Sequence, residues 1–589
     1  MRTVSIMALP IHRVYSFVVA TLISAHAMAA PGDLDVSFNA TGIVTTSLVS
    51  TRAEAHAVAL QPNGKILMAG QACGVSSPSC DVLVERLNGD GSLDTTFNTT
   101  GVVTTDYNAY NDFAYAVALT TSGQPIVAGY SCSVTQCYFL LIRYLSNGNF
   151  DTTFAGSGIV AAGFASGDSR AYALALQPDG KVIAGGYSYN GSNDDFELIR
   201  YNTDGSLDSG FGLGGAVSTG FNANDDQINA IALQPDGKIV VAGQSCGVYN
   251  NCSFALARYY SNGIPDATLN GTGKLTTSIG PNYDKANGLA LQPDGKIVLA
   301  GQSCTQIDAS CVYALVRYNT DGSLDATFNP SGATPGILTT AIGATNDIAT
   351  SVAIQPDGKI ISGGFSYTTS NNVYVLVRYS ADGGLDPSFG SSGIVTTDIG
   401  PSGNQAYAVA LQPDSKIVMA GGSSSTTGSF LSVARYIAES SPWDLTPDAF
   451  SFADADNAAL GSVQTSNTIT ISGLGNGIEV PVTVLSGEYA KIGSGVYTAG
   501  VGWAKNGDEF NVRHTASTTP GTSTTSALIV GGIVATNNAT VTLGTTASET
   551  FTSNTTPGST LSGGGLLGPL SFIALAALLL LSRVRVRLF

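Results

Sequence analysis

The side chains best suited to chemistry recur at one place in a repeated strand. Counting back seven residues from the Leu or Ile that ends the strand reaches Asp112, Asp226, Asp284, Asp347 and Asn404. Tyr107, Tyr110, Asp168 and Tyr283 stand in the variable loops beside them. A collar of carboxylates, amides and phenols would hold a cation or hydrogen-bond a polar ligand. The same acids would serve equally to cap turns, or to pair with an Arg that recurs in every repeat. Their repetition favours the structural role, because a site usually breaks symmetry.

Other chemistry is poorly supplied. Beyond His12 and His26 near the N-terminus, only His56 and His514 remain, far apart in the chain, so a Ser-His-Asp or Cys-His constellation would depend on one of them. His56, at the start of an inner strand, reads as an isolated structural histidine. No P-loop, dinucleotide fingerprint or HExxH motif occurs. The Asn-x-Asp-Gly-Ser-Leu-Asp stretches (Asn202, Asp204, Asp208; Asn319, Asp321, Asp325) have the oxygen spacing of a calcium loop but no closing Glu, and read as β-turns. Trp443 and Trp503 are too few for a sugar-stacking platform. No metal site and no cofactor are expected.

The elements that must position these residues are repeats. A hairpin of the form A-x-A-L-Q-P-D-G-K-I-V-x-A-G recurs around Gln61, Thr120 (degenerate), Gln177, Gln234, Gln292, Gln355 and Gln412, at spacings of 59, 57, 57, 58, 63 and 57 residues. An Arg follows each: Arg86, Arg143, Arg200, Arg258, Arg317, Arg378 and Arg435, read as architectural Arg-Tyr pairs. Pro-Asp-Gly presets a turn, and the flanking runs are short and β-rich, giving four strands per repeat. Such a period in strand-built units means a propeller or solenoid. The chain opens on a fourth-type strand, Gly42–Thr46, and the repeats end on a three-strand set, Ala406 to Tyr436. The first strand is therefore expected to pair with the strand ending at Tyr436 and close a ring, removing the exposed edges.

The eight cysteines form four close pairs, Cys73/Cys80, Cys132/Cys137, Cys246/Cys252 and Cys304/Cys311. Each pair falls at the base of the same hairpin loop, so local disulfides in an oxidising compartment are expected. Zinc would need four converging ligands.

With L-D-x-x-F-x-x-x-G between hairpins (Leu207, Asp208, Phe211), this wording resembles the delta-60 repeat family of bacterial β-propellers over about residues 33–438. The resemblance implies the fold and carries no catalytic motif.

Residues 1–29 read as a secretory signal: Arg2, His12 and Arg13, an apolar run from Val14 to Ile23, and the small-x-small site Ala27-Met28-Ala29. After the propeller (30–438) and a linker (439–447), residues 448–552 carry short alternating strands at Ala449–Phe452, Thr468–Ser472, Val480–Leu485, Glu509–Arg513, Ala527–Val530 and Ala539–Leu543. These suggest a small immunoglobulin-like β-sandwich. A polar and Gly spacer (553–565) ends in Gly563-Gly564-Gly565. A hydrophobic segment and basic tail (566–589) follow, with Arg583, Arg585 and Arg587. The arrangement resembles GlyGly-CTERM sorting signals, with a plain membrane anchor as the other reading. Net charge is −17 and charged residues are only 11%, which disfavours nucleic acid.

The expectation is an all-β chain: a seven-bladed β-propeller of four-stranded blades closed by the N-terminal strand, then a β-sandwich and a hydrophobic tail. It is expected to be exported to a bacterial surface, with a monomeric ectodomain and membrane contact through the tail. Its expected work is binding a surface glycan or protein, not catalysis. The rival is a propeller hydrolase or lyase acting on polysaccharide through Asp and Tyr.

Overall fold

The structure is a computed structural model. It describes residues 30–553 apart from 49, 51, 75–78, 164–166, 307–308, 344, 369–370, 401, 426–427, 440–449, 451, 453–454, 459–460, 475–478, 486, 495, 499–501, 517, 519–522 and 531–544. The expected signal, most of the linker, the strand at Ala539–Leu543, and the tail with Gly563–Gly565 and Arg583, Arg585 and Arg587 lie outside the described residues. Among the described residues no helix is long and apolar enough to cross a membrane, and the one helical element is a 3-10 turn at Val248–Asn250.

Each repeat is a set of four antiparallel strands in sequence order. In one set, Asp226–Leu233, Ile239–Cys246, Cys252–Tyr259 and Lys274–Thr277 pair in turn. Among the described residues there are seven such sets, two of them joined into one eight-stranded sheet by a single parallel bridge, Cys252 to Tyr283. The last set takes its outer strand from the N-terminus: Ile43–Ser47 pairs antiparallel with Gly428–Ile437, Ile43 facing Ala434. Apolar clusters fill the spaces between sets. At the seam, Val44, Val418, Leu431 and Val433 meet Val58, Ile66, Met68 and Leu83 of the first set.

The repeated words of the sequence turn out to be one device. The Asp of L-D-x-x-F pairs with the recurrent Arg of its own set, with Nε to carboxylate distances of 2.6–2.9 Å. In six of the seven sets the same Asp also binds the Lys that follows the first turn. The Phe of the motif lies under the guanidinium at 4.4–4.7 Å in six sets, and Leu269 replaces it under Arg258. The Arg Nη1 then donates to a turn carbonyl in the next set, as Arg86 does to Ser146 and Arg258 to Thr320. Arg435 does the same across the seam, to Gly89. A buried cation is tolerated here because a carboxylate and a backbone carbonyl meet it in every set.

The Tyr after the Arg forms a second inter-set bond. Its hydroxyl meets the last Thr of the previous outer strand at 2.7–2.9 Å: Tyr144 with Thr105, Tyr259 with Thr219, Tyr318 with Thr277, Tyr379 with Thr340, Tyr436 with Thr397. Two junctions differ. Ala162 replaces the Thr facing Tyr201, whose hydroxyl is buried without a partner. The first of the seven expected Arg-Tyr pairs is Arg86-Leu87, and Thr46 donates instead to the buried Glu85 at 2.8 Å.

The Asn-x-Asp-Gly-Ser stretches are turns: Asp204 Oδ1 accepts the Ser206 amide and hydroxyl at 2.9 and 2.6 Å, while Asp208 faces Arg200.

All four expected disulfides are present: Cys73–Cys80, Cys132–Cys137, Cys246–Cys252 and Cys304–Cys311. Each joins directly opposed residues of one hairpin. The backbone of two of these cysteines, Cys80 and Cys311, also bonds beyond its own hairpin. The Cys80 amide donates to Asn111 Oδ1 at 2.9 Å, and the Cys311 amide to Asn346 Oδ1 at 3.2 Å. Both acceptors immediately precede the inner strand of the next set, Asp112–Leu119 and Asp347–Ile354. The second cysteine of the pair therefore also pins the neighbouring loop, a contact between sets that spacing within one hairpin does not reveal.

The described residues between 455 and 553 form two further sheets. One orders Ala455–Ala458, Thr545–Ser553, Ser523–Val530, Val480–Leu485 and Gly502–Ala504, and the other centres on Glu509–Thr515. Thr545–Ser553, Val463–Thr465, Glu488–Lys491 and Gly502–Ala504 were not legible as strands. Phe452 lies outside any strand, and the first strand begins instead at Ala455, paired parallel with Thr545–Ser553.

Candidate functional site

The expected collar of acids is buried. Asp112, Asp226, Asp284 and Asn404 are 0% exposed and Asp347 is 1% exposed. Each caps the loop that enters its strand. Asp112 accepts the amides of Tyr107 and Asn108, Asp226 that of Phe221, Asp284 those of Ile279 and Gly280, Asp347 those of Ile342 and Gly343, and Asn404 that of Gly400. Burial pushes Asp226 up to about 6 and raises Asp112 and Asp284. These side chains are engaged by the loops that enter their strands and are not among the residues lining the central cavity. Asp168 is likewise engaged, accepting the Cys137 amide and binding Arg170 at 2.8 Å. Tyr107 and Tyr110 are 44% exposed on loops. Of the expected residues, Tyr283 alone lines the central cavity. The disulfides, Cys73–Cys80 and Cys304–Cys311 among them, take no part in its lining.

That cavity is built by a feature the alternating pattern conceals. Every inner strand carries a β-bulge three residues after the capping position, where the register slips past one residue. The residues skipped are His56, Tyr115, Tyr172, Asn229, Asn287, Thr350 and Tyr407. All seven line one cavity of about 480 Å³ enclosed by the inner strands. A bulge re-aims a side chain and brings the backbones together. Accordingly the residue opposite it is always the last Gly of the hairpin motif. A Cβ at Gly70, Gly129, Gly186, Gly243, Gly301, Gly364 or Gly421 would lie 1.8–2.0 Å from a carbonyl oxygen of the inner strand.

The two halves of the lining differ. On three successive sets the bulge residue is a small polar clip to the next set: Asn229 donates to Ala286 O, Asn287 to Ala349 O, and Thr350 to Ala406 O. On the other four it is aromatic. Tyr407 and His56 lie 4.8 Å apart by ring centroid, His56 stacks on Tyr115 at 4.5 Å, and Tyr115 meets Tyr172 edge-on at 4.9 Å. Tyr130 stacks on Tyr115 at 5.6 Å and Tyr187 on Tyr172 at 6.1 Å. One side of the cavity is thus walled by Tyr and His rings, and His56 is part of that wall rather than isolated.

Burial holds the His56 imidazole below its ordinary range, against the pull of Glu54 at 3.9 Å, so it is neutral at pH 7. Burial also raises the phenols of Tyr115, Tyr172 and Tyr407, and Tyr187 to about 12, so the wall carries no charge. Charged groups occur two positions before the bulge at Glu54, Arg170 and Lys285, and of the seven residues at this position Gln227, Lys285 and Ile348 line the cavity. Uncharged aromatic faces opposite amides suit a ligand with both C–H faces and hydroxyls. The sequence did hold a signal for these positions: one variable residue between two mostly small ones, fourteen residues before an unvarying Gly.

The geometry is that of a β-propeller. A family model described as "Domain of unknown function (DUF5122) beta-propeller" matches residues 61–97, 177–211, 234–269, 292–328 and 355–389. These five stretches run from the Gln of the first turn to the Phe or Leu under the Arg. No curated protein matches the chain by sequence. Among solved structures, the chain is similar to polysaccharide lyase Uly1, at 10% identity and a TM-score of 0.39 over 66% of this chain and 91% of that one. It is also similar to Sqt1 of Chaetomium thermophilum, at 13% and 0.34 over 67% and 98%. The β-propeller domain of the Trilobed protease from Pyrococcus furiosus matches at 8% and 0.31 over 66% and 94%. At such identities and scores these likenesses carry nothing about activity.

Proposed function

We propose that this chain is an exported, surface-associated binding module, a seven-bladed ring that holds a saccharide in its channel. The observation that carries this reading is the broken symmetry of the bulge ring. The buried acids, the Arg-Asp-Lys triads and the Tyr-Thr bonds repeat because they build the ring. The bulge position has the same backbone in every set, yet it is aromatic on four neighbouring sets and polar on three. Packing alone gives no reason for that division, whereas a ligand with an apolar face and a polar edge does. Four local disulfides support export, since they persist in oxidising compartments. The rival reading, hydrolysis or elimination through Asp and Tyr, loses its acids to loop capping.

The test is a glycan and protein binding screen with the intact chain and its Tyr172→Ala variant, with products of each glycan analysed afterwards. A glycan that binds the parent and is lost by the variant supports the reading. Binding unaffected by the variant, or release of shortened products, overturns it.

A further inference from the structure

The residue after the last Gly of the hairpin motif is large in six sets: Gln71, Tyr130, Tyr187, Gln244, Gln302 and Phe365. In the seventh it is Gly422. A notch opens there. It is a cavity of about 250 Å³ between the seventh set and the first, lined by Arg52, Glu54, Gln405, Gly422 and serines of the seventh hairpin. Glu54 leans into the space that Gly422 leaves, because a Cβ on Gly422 would stand 2.8 Å from Glu54 Cγ. A side chain of the kind the other six sets carry would therefore fill the notch.

The notch adjoins the channel. Glu54 and Gln405 stand two positions before the bulge residues His56 and Tyr407, and they line the notch while the bulge residues line the channel. Glu54 Oε2 lies 3.9 Å from His56 Nε2, and the Tyr407 hydroxyl donates to Gln405 Oε1 at 2.7 Å. One end of the aromatic wall is thus backed directly by the side chains of the notch. The chemistry changes across that boundary. Among the described residues no aromatic ring lines the notch. The Arg52 fork grips Glu54 through bonds of 2.8 and 3.0 Å, from Nε and Nη2. The two charges cancel, so the pair gives an ion no net attraction. It does set guanidinium N–H donors beside carboxylate acceptors, with serine hydroxyls next to them. Neighbouring sugar hydroxyls, each both donor and acceptor, match such a pair. A sugar in the notch would be held by its edge, as the wall would hold one by its face.

Resting on the binding reading above, we infer that the saccharide is a neutral chain bound at two subsites. One unit stacks on the aromatic wall of the channel, and a following unit lies in the seam notch with vicinal hydroxyls on the Arg52–Glu54 pair. The test titrates the intact protein with cello-, xylo-, manno- and galacto-oligosaccharides, each from the monosaccharide to the hexasaccharide. In at least one series affinity should rise about tenfold or more between the monosaccharide and the trisaccharide. Gly422→Gln restores the bulk that the other sets carry. Arg52→Met removes the donors at a side chain that is 56% exposed. Each should remove most of that rise. Thermal melting checks that both fold, and if Gly422→Gln does not, Arg52→Met decides. Affinity independent of length, or a rise that either folded variant keeps, overturns the inference and leaves the channel reading standing. If no series binds, the inference falls, and the channel reading falls with it where Tyr172→Ala matches the parent in the glycan screen.

Discussion

Replacing Glu85 should make the ring more stable above neutral pH and leave it unchanged near pH 5. Glu85 lies at the junction that closes the ring, on the first set, against Thr46 of the N-terminal strand. It is 0% exposed, and its second oxygen is buried without a partner. Burial raises its carboxyl from 4.5 to about 7, the Thr46 bond offsetting only part of the cost. Below pH 4.5 the group is protonated in both the folded and unfolded states and contributes no pH dependence. Between 4.5 and about 7 the folded state keeps a proton the unfolded state has lost, so stability falls by roughly 1.4 kcal/mol per pH unit. Above about 7 the full penalty stands, about 3 kcal/mol.

Glu85→Gln keeps a donor and acceptor of the same shape and removes the charge. Hydrogen exchange of the Ile43–Ser47 amides reads the opening of this seam directly. Between pH 5 and 8 the parent should lose most of that ~3 kcal/mol at the seam, while the variant loses little. The comparison starts at pH 5 because the ion-paired aspartates titrate lower. Asp94, for example, is held well below the usual carboxylate range, its burial outweighed by Lys65, Thr96 and Arg86. Equal pH slopes in parent and variant at this strand would refute the assignment of the penalty to Glu85.

Three further outcomes follow from the same contacts. Tyr201→Phe should be neutral or slightly stabilising and Ala162→Thr stabilising by about 1 kcal/mol, whereas Tyr259→Phe, which strips Thr219 of its partner, should cost about 1 kcal/mol in denaturant melts. Asp266→Asn leaves Arg258 and Lys238 facing an uncharged, buried amide and should cost about 3–5 kcal/mol at pH 7; a loss below about 1 kcal/mol would mean the triad is not a staple. Mass spectrometry of surface-recovered protein should find only the four local disulfides, each worth about 2 kcal/mol or less, and a chain ending near Gly565; an inter-set link or an intact Phe589 contradicts one or the other.

What the sequence determined by itself is what each repeat encodes locally. Turn chemistry, strand period and the L-D-x-x-F word are local, so one reading served every set. The pairing of the cysteines was legible because a hairpin brings residues five to seven apart face to face. The hold of Cys80 on Asn111 and of Cys311 on Asn346 was not, because it spans two sets. The offset of the first strand announced its partner because an unpaired edge is costly. The channel lining was not legible either, for two physical reasons. A strict period of two assigns each residue of an inner strand to one face, and a bulge breaks that assignment at one position per strand. The acids seven residues back look like a collar in the sequence and are buried in the structure, because the entering loop folds over them. Tyr407 and His56 are neighbours at 4.8 Å although they begin and end the propeller. Only ring closure puts them together, so the contiguous aromatic wall exists in the tertiary structure and nowhere in the order of the chain.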